Sequence, residues 1–189
     1  NTVRTIFLLR NSAYGVRISN CKLVMSSVSQ INMTVLRNDR GDDTDFEKEG
    51  DNFVVENNDI RVYCRAESIT MTNSCYGISN DLPNSMDVIN NNIYMMVAGK
   101  GENQRVTGIY NNGRFCRILN NNIKANGMHM EGTQTEHTHA VGVENEGEYL
   151  LFNSNNCVAE WAGKAIGAWN KGERSSFTGN KFIGTHSIF

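Results

Sequence analysis

One eight-residue phrase recurs along this chain, and the recurrence constrains the fold more than any other feature. Residues 106–113, 140–147 and 165–172 each begin with a short alternating apolar run, continue to an asparagine and end at a glycine. Looser copies end at Asn11, Asn38 and Asn73. Repeats with a period of about 20–50 residues are typical of solenoids, in which each repeat packs on its neighbours. The chain is therefore predicted to fold as a solenoid.

A second phrase, with apolar residues on both sides of an asparagine turn, follows the first in each repeat. Its equivalent positions are Cys21, Asn58, Asn91, Asn121, Asn155 and Asn180, spaced by 37, 33, 30, 34 and 25 residues. Constant phrases with variable gaps indicate fixed strands joined by variable loops. The apolar residues alternate with period two, as in strands, and no long stretch keeps the helical period. The single proline also fits a structure that uses nearly every backbone N–H in ladder bonds.

The apolar positions superpose when the repeats are aligned, which predicts continuous interior stacks. In the third strand of each period one column holds Leu23, Ile60, Ile93, Ile123, Cys157 and Phe182. In the second strand, the pair Phe53 and Val55 corresponds to Met86 and Val88. One coil cannot bury its own apolar face, so about six coils are predicted to share one core. The aligned asparagines are predicted to stack as amide ladders and to occupy left-handed turns.

The three-strand period and the Asn-Asn-x-Ile turns resemble the right-handed parallel β-helix of the pectate-lyase-like superfamily, over essentially the whole chain. The resemblance implies an all-β solenoid of about six coils with three strands each, and it supplies the handedness. We expect a single domain over residues 1–189 that belongs to a longer protein. Within the superfamily, the Asn- and Gly-rich composition is similar to that of phage tailspikes and related receptor-binding fibres. Those proteins are trimers that present sugar grooves to bacterial surfaces.

Composition excludes several functional classes. A net charge of −2 disfavours nucleic-acid binding, which needs a basic face, and no apolar run approaches the length of a membrane span. The five cysteines form no Cys-x-x-Cys pair and are interpreted as buried thiols. Three of the four histidines, His129, His137 and His139, lie in one segment that is interpreted as a polar loop. We therefore expect no metal and no cofactor.

The residue before each asparagine of the first phrase is predicted to point outward. This column holds Arg10, Arg37, Thr72, Tyr110, Glu144 and Trp169. Two residues earlier, on the same predicted face, lie Gly108, Gly142 and Gly167, which would form a floor without side chains. Aromatic rings beside a flat floor can stack on a sugar, and a carboxylate can bind its hydroxyls. A polysaccharide site formed by Arg37, Tyr110, Trp169 and these glycines is predicted; the alternative is a solvent-facing surface without a ligand.

Glycoside hydrolysis needs two carboxylates, about 5–5.5 Å apart for retention or about 6.5–9.5 Å apart for inversion. The outward column offers only Glu144, so the second carboxylate would come from a turn residue such as Glu146 or Glu173, or from a neighbouring subunit. The superfamily's pectate lyases use strand aspartates for calcium and an arginine base, and no such aspartate cluster is found. The polygalacturonase signatures Gly-His-Gly and Arg-Ile-Lys are also missing. No catalytic residue is therefore carried over from either family.

Three functions follow from the sequence. The first is a tailspike or receptor-binding domain, on a virion surface or extracellular, that binds and in an enzymatic form depolymerises a bacterial surface polysaccharide. Outward apolar residues such as Leu8, Val24 and Val35 suggest a homotrimer or flanking domains. The second is a secreted bacterial polysaccharide lyase or glycoside hydrolase, and the third is a non-catalytic structural or adhesin β-helix.

Overall fold

The computed structural model describes residues 4–27, 31–39, 52–66, 73–81, 85–99, 104–129 and 138–185, which form 18 β-strands and no helix. Sheet A contains β1 (Arg4–Asn11), β4 (Ile31–Asn38), β7 (Asn73–Asn80), β10 (Gln104–Asn111), β13 (His139–Asn145) and β16 (Lys164–Asn170). Sheet B contains β2 (Arg17–Ser19), β5 (Phe53–Glu56), β8 (Met86–Ile89), β11 (Arg117–Leu119), β14 (Leu151–Asn153) and β17 (Ser176–Thr178). Sheet C contains β3 (Lys22–Ser27), β6 (Asp59–Ala66), β9 (Asn92–Gly99), β12 (Asn122–His129), β15 (Asn156–Glu160) and β18 (Lys181–Thr185).

Each coil contributes one strand to each sheet, and successive coils pair in parallel. The three sheets each run through six coils in sequence order, which makes a right-handed parallel β-helix. Right-handed crossovers are the rule for parallel strands, because a right-twisted strand packs back on its sheet in that sense. The predicted fold, with six coils of three strands, is confirmed.

The predicted columns are also confirmed, although Phe182, on the last coil, is 44% exposed. Strand pairing places Leu23, Ile60, Ile93, Ile123, Cys157 and Phe182 in one register column of sheet C. In sheet B, Phe53 pairs with Met86 and Val55 pairs with Val88. The isoleucines of the sheet C column have no exposed surface and belong to one continuous core. Burial of equivalent residues coil over coil is therefore what holds the cylinder together.

Two interior asparagine ladders follow the axis. At the end of sheet A the side-chain amides of Asn11, Asn38, Asn80, Asn111, Asn145 and Asn170 are joined in order by bonds of 2.7–3.0 Å. Between sheets B and C, Asn58, Asn91, Asn121, Asn155 and Asn180 are joined in order by bonds of 3.0–3.1 Å. The predicted amide ladders are confirmed. The left-handed backbone conformation belongs to the residue that precedes each asparagine of the second ladder, for example Asn57 with a φ of 55°.

The repeat alignment of the third coil was wrong. Asn80, not Asn73, pairs with Asn38 and Asn111, whereas Asn73 begins β7 and pairs with Gln104. The first phrase, which runs from Val106 to Asn111 in the fourth coil, therefore runs from Cys75 to Asn80 in the third coil. The outward column accordingly contains Ser79 in place of Thr72, a residue that lies outside the described segments.

The predicted alternation of sheet A is interrupted at its glycines, so an exposed glycine floor is wrong. Gly108, Gly142 and Gly167 are buried. A Cβ added at Gly108 would meet a core isoleucine and the Gly142 carbonyl oxygen at 2.5 Å, and one added at Gly142 would lie 3.0 Å from the core residue Cys157. Both the glycine and the next residue therefore face the interior. Val35 lies at the same position of the second coil and is fully buried, contrary to the predicted outward orientation.

The cysteine interpretation is confirmed for four of the five thiols. Cys64, Cys75, Cys116 and Cys157 are buried and free, whereas Cys21 is exposed. Burial raises the pKa of Cys116 and of Cys157 to about 12. The acidic segment 40–51 and most of the histidine-containing segment, 130–137, lie outside the described residues. Within the described segments, no helix has the length and apolarity needed to cross a membrane.

Candidate functional site

Three outward columns of side chains define the outer face of sheet A. The first, before the ladder asparagines, holds Arg10, Arg37, Ser79, Tyr110, Glu144 and Trp169. The second, three residues earlier because of the glycine interruption, holds Phe7, Thr34, Tyr76, Thr107, Val141 and Ile166. The third, which follows the ladder asparagines, includes Asp39, Asp81, Asn112, Glu146 and Lys171. The backbone N–H group of each donates to the carbonyl of the ladder asparagine in the preceding coil. Polar and aromatic side chains therefore run parallel to the axis.

A polar cavity of about 340 Å³ lies across these columns, and we call it the sheet-A groove. Coils two and three line it with Thr34, Arg37, Tyr76, Ser79 and Asp81. Coils four and five line it with Arg105, Tyr110, Glu144 and Glu146. Parallel coils lie about 4.8 Å apart, so a cavity that crosses four of them is about 14 Å long. The sheet-A groove can therefore accept an elongated polar ligand.

At one end of the sheet-A groove, carboxylates surround Arg37. Its Nε lies 2.6 Å from one Asp39 oxygen and 3.1 Å from one Asp81 oxygen. Asp39 is also bonded by the Arg10 Nε at 2.7 Å, and the Ser79 hydroxyl donates to Asp81 at 3.2 Å. Burial raises the pKa of Asp81, although Arg37 and the Ser79 hydroxyl oppose the rise. Asp81 is therefore the carboxyl group of the sheet-A groove with a raised affinity for a proton.

Glu144 points outward as predicted, but it has no exposed surface. Arg105 forms an ion pair with one of its oxygens, and the Lys171 ammonium lies 2.8 Å from the other. A carboxylate between two cations is held in its charged form. The predicted exposure of Glu144 is therefore wrong, and its carboxylate is bound by Arg105 and Lys171. Its role as a catalytic acid or base stays a prediction.

Lys171 links Glu144 to the next carboxylate and to an aromatic ring. Its ammonium lies 2.7 Å from Glu146 and 4.1 Å from the centre of the Trp169 ring. The Tyr110 hydroxyl donates to the other Glu146 oxygen at 2.9 Å. Lys171 and then Tyr110 lower the pKa of Glu146, because both stabilise its charged form. Burial and Glu146 raise the pKa of Tyr110, so its hydroxyl remains a neutral donor.

Asp81 and Glu146 occupy the same position of the coil, two coils apart. Two steps of about 4.8 Å separate their backbones by about 9.6 Å, and both side chains line the sheet-A groove. Their environments shift the two pKa values in opposite directions. Two carboxyl groups whose pKa values are shifted apart are candidates for a general acid and a general base. Asp81 is absent from the predicted site because the predicted copy of the phrase ends at Asn73, whereas the copy in register ends at Asn80.

Some of the predicted site residues come together and others do not. Arg37, Tyr110, Glu144 and Glu146 line the sheet-A groove. The other predicted residues do not line it: the three glycines lie in the interior, Trp169 lies beyond the groove beneath Lys171, and Glu173 is exposed in the turn after β16. The residues that the sequence did not single out are Tyr76, Ser79, Asp81 and Arg105.

Among the described residues beside the sheet-A groove, two polar atoms are buried with neither a hydrogen-bond partner nor an ion-pair partner. They are the Arg105 Nε and the Thr107 hydroxyl oxygen, and Thr107 pairs in register with Tyr76. Buried polar groups are nearly always bonded, so both atoms are suited to a ligand or a water. Among the described residues, no group of three or more histidine, cysteine or carboxylate side chains is arranged to hold a metal ion.

Comparison with known proteins gives no relative: no family model, no curated protein and no solved structure matches this chain. The function is therefore inferred from the groove and its chemistry.

Proposed function

We propose that the sheet-A groove binds a bacterial surface polysaccharide, and that the chain is a receptor-binding β-helix of the tailspike type within the pectate-lyase-like superfamily. The observation that carries the proposal is the groove itself. It runs across four coils and combines aromatic, hydroxyl and charged side chains on a rigid sheet. A polymer lying along the axis can contact each coil in turn.

The lining chemistry suits sugars better than other elongated ligands. The rings of Tyr76 and Tyr110 meet edge to face with centroids 6.0 Å apart, and a pyranose can pack its apolar face against such rings. Cations and carboxylates alternate in the sheet-A groove, so hydroxyl groups meet both donors and acceptors. The balance of charge does not favour a strongly charged nucleic acid.

Calorimetric titration with a panel of bacterial capsules and lipopolysaccharides tests this proposal. Tyr110→Ala should weaken binding about tenfold or more, as expected when a central aromatic contact is removed. Tyr94→Ala is the matched control, since Tyr94 is half-buried on the outer face of sheet C, beside Tyr63. Equal losses in the two variants, or no binding of any glycan by the wild type, would reject the proposal.

Hydrolysis of the bound polysaccharide is the second candidate function, and the placement of Asp81 and Glu146 favours it. In this reaction Asp81 donates a proton to the leaving glycosidic oxygen as the bond to the anomeric carbon breaks. Glu146 removes a proton from a water molecule whose oxygen bonds to that carbon. One water is consumed, and the product has inverted configuration.

Asp81→Asn and Glu146→Gln separate hydrolysis from binding. Both variants should bind the polysaccharide but release no new reducing ends, whereas the wild type releases them with an inverted anomeric signal in NMR. Products with the ultraviolet absorbance of an unsaturated uronate would instead identify a lyase. Binding without any product would leave a non-catalytic receptor-binding or adhesin domain.

We propose further that the protein acts as a homotrimer on a virion surface or outside the cell. Exposed apolar residues support association, with Leu8 46% and Val24 45% exposed. An extracellular location follows from the proposed ligand. Sedimentation equilibrium measures the assembly directly, and a monomeric mass would reject the trimer.

A further inference from the structure

The corner between sheets A and B carries an exposed column of two aromatic rings and one guanidinium group. Phe115, Tyr149 and Arg174 lie at equivalent positions on coils four, five and six. The backbone bonds show this equivalence, since the N–H groups of Phe115 and Tyr149 each donate to the carbonyl of the residue that precedes the next member of the column. The Phe115 and Tyr149 rings stack with centroids 4.8 Å apart and planes 13° apart. The Arg174 guanidinium lies 5.2 Å from the centre of the Tyr149 ring and donates to its hydroxyl.

All three residues have a left-handed backbone, with φ values of 55°, 54° and 53°. Bulky L-residues adopt this region only at a cost in energy, because Cβ approaches the following carbonyl oxygen. The first two coils use Gly15 and Asn52 at the same corner, with φ values of 69° and 53°. Glycine and asparagine accept this conformation readily. The turn itself therefore does not require phenylalanine, tyrosine or arginine.

Burial does not explain the choice of residues either. Phe115 is 64% exposed and Tyr149 is 37% exposed, so much of the stack faces water. Residues held in a strained backbone conformation cluster at active sites, ligand clamps and switch regions. Stacked rings beside a guanidinium group are suited to a sugar that carries a carboxylate, since the rings contact its apolar face and arginine pairs with the acid.

The column lies beside the proposed polysaccharide site and shares coils four and five with it. Tyr149 follows Glu146, in the sheet-A groove, by three positions, and Arg174 follows Lys171 by the same number. We propose that the Phe115–Tyr149–Arg174 column is a second contact site for the same polysaccharide, which extends the sheet-A groove around the corner and binds an acidic sugar residue. This inference rests on the proposed function.

Phe115→Asn tests it, because asparagine removes the ring and also relieves the backbone strain. The variant should melt at the wild-type temperature or above it. Its affinity for long acidic polysaccharides of the panel should fall about tenfold. Its affinity for short oligosaccharides prepared from them, which fill only the sheet-A groove, should be unchanged. Arg174→Asn should weaken the binding of acidic polysaccharides and leave that of neutral ones unchanged.

The outcomes distinguish this inference from the proposed function. If Tyr110→Ala weakens binding as predicted while Phe115→Asn binds long chains as the wild type does, the corner site is rejected and the sheet-A groove stands. A lower melting temperature with unchanged binding would make the stack purely structural and would also reject the corner site. If the wild type binds no glycan at all, both proposals fail.

Discussion

Replacing Asn121 with alanine should destabilise the protein strongly, because this side chain lies in the middle of the interior ladder. Its Nδ2 donates to the carbonyl of Val88 at 2.8 Å and to the Asn155 side chain at 3.0 Å. Its Oδ1 accepts the Asn91 backbone N–H at 2.9 Å and the Asn91 side-chain amide at 3.0 Å. Asn121 is 2% exposed, so water cannot replace these partners.

The cost can be worked from the bonds lost. The Asn91 N–H is left buried without an acceptor, which costs about 1–3 kcal/mol. The two lost side-chain bonds within the ladder contribute about 1 kcal/mol each. The free energy of unfolding should therefore fall by about 3–5 kcal/mol, which corresponds to about 6–20 °C in melting temperature for a chain of this size.

The neighbouring residue provides a matched control for this variant. Asn122 also belongs to an amide ladder, with bonds of 2.9 Å to Asn92 and 2.8 Å from Asn156, but that ladder is exposed. Asn122→Ala should change stability by no more than about 0.5 kcal/mol, since water replaces the lost partners. Thermal and urea unfolding followed by circular dichroism measures both. Similar small losses in the two variants would refute the claim that the interior ladder stabilises the coils.

Three further predictions concern the interior, the thiols and the acid–base pair. Gly108→Ala should lower the free energy of unfolding by about 1–3 kcal/mol in urea titrations, because the added Cβ enters the packed core; a variant as stable as the wild type would mean that this glycine faces solvent. Alkylation at mildly alkaline pH should modify the exposed Cys21 and spare Cys116, whose pKa is raised to about 12. Mass spectrometry measures the order of modification, and modification of Cys116 before Cys21 would contradict the prediction. The hydrolysis rate should fall above the raised pKa of Asp81, where the acid is lost, and below the lowered pKa of Glu146, where the base is protonated. A rate that is independent of pH through this range would contradict the assignment.

The fold could be predicted from the sequence because the interior of a solenoid repeats in register. The column from Leu23 to Phe182 and the ladder through Asn121 each need the same residue type on successive coils. Burial and hydrogen bonding therefore leave a periodic signal that survives variable loop lengths. Both features are present in the structure as predicted.

The site could be predicted only in part, because its geometry depends on departures from that period. Gly142 and the residue after it both face inward. The preceding outward residue of the strand therefore lies three positions before Glu144, and not two positions before it as strict alternation predicts. The third coil carries its phrase seven residues later than the looser copy suggested, which concealed Asp81. Glu144 is bound by Lys171, a side chain from the following coil. A local sequence pattern does not predict contacts between side chains of different coils.

The most direct test of the central claim is a crystal structure of the protein with an oligosaccharide that it retains from the polysaccharide panel. The sugar is expected along the sheet-A groove, parallel to the axis of the β-helix and in contact with Arg37, Tyr110 and Glu146. A sugar bound on sheet B or sheet C, with the sheet-A groove free of it, would contradict the claim.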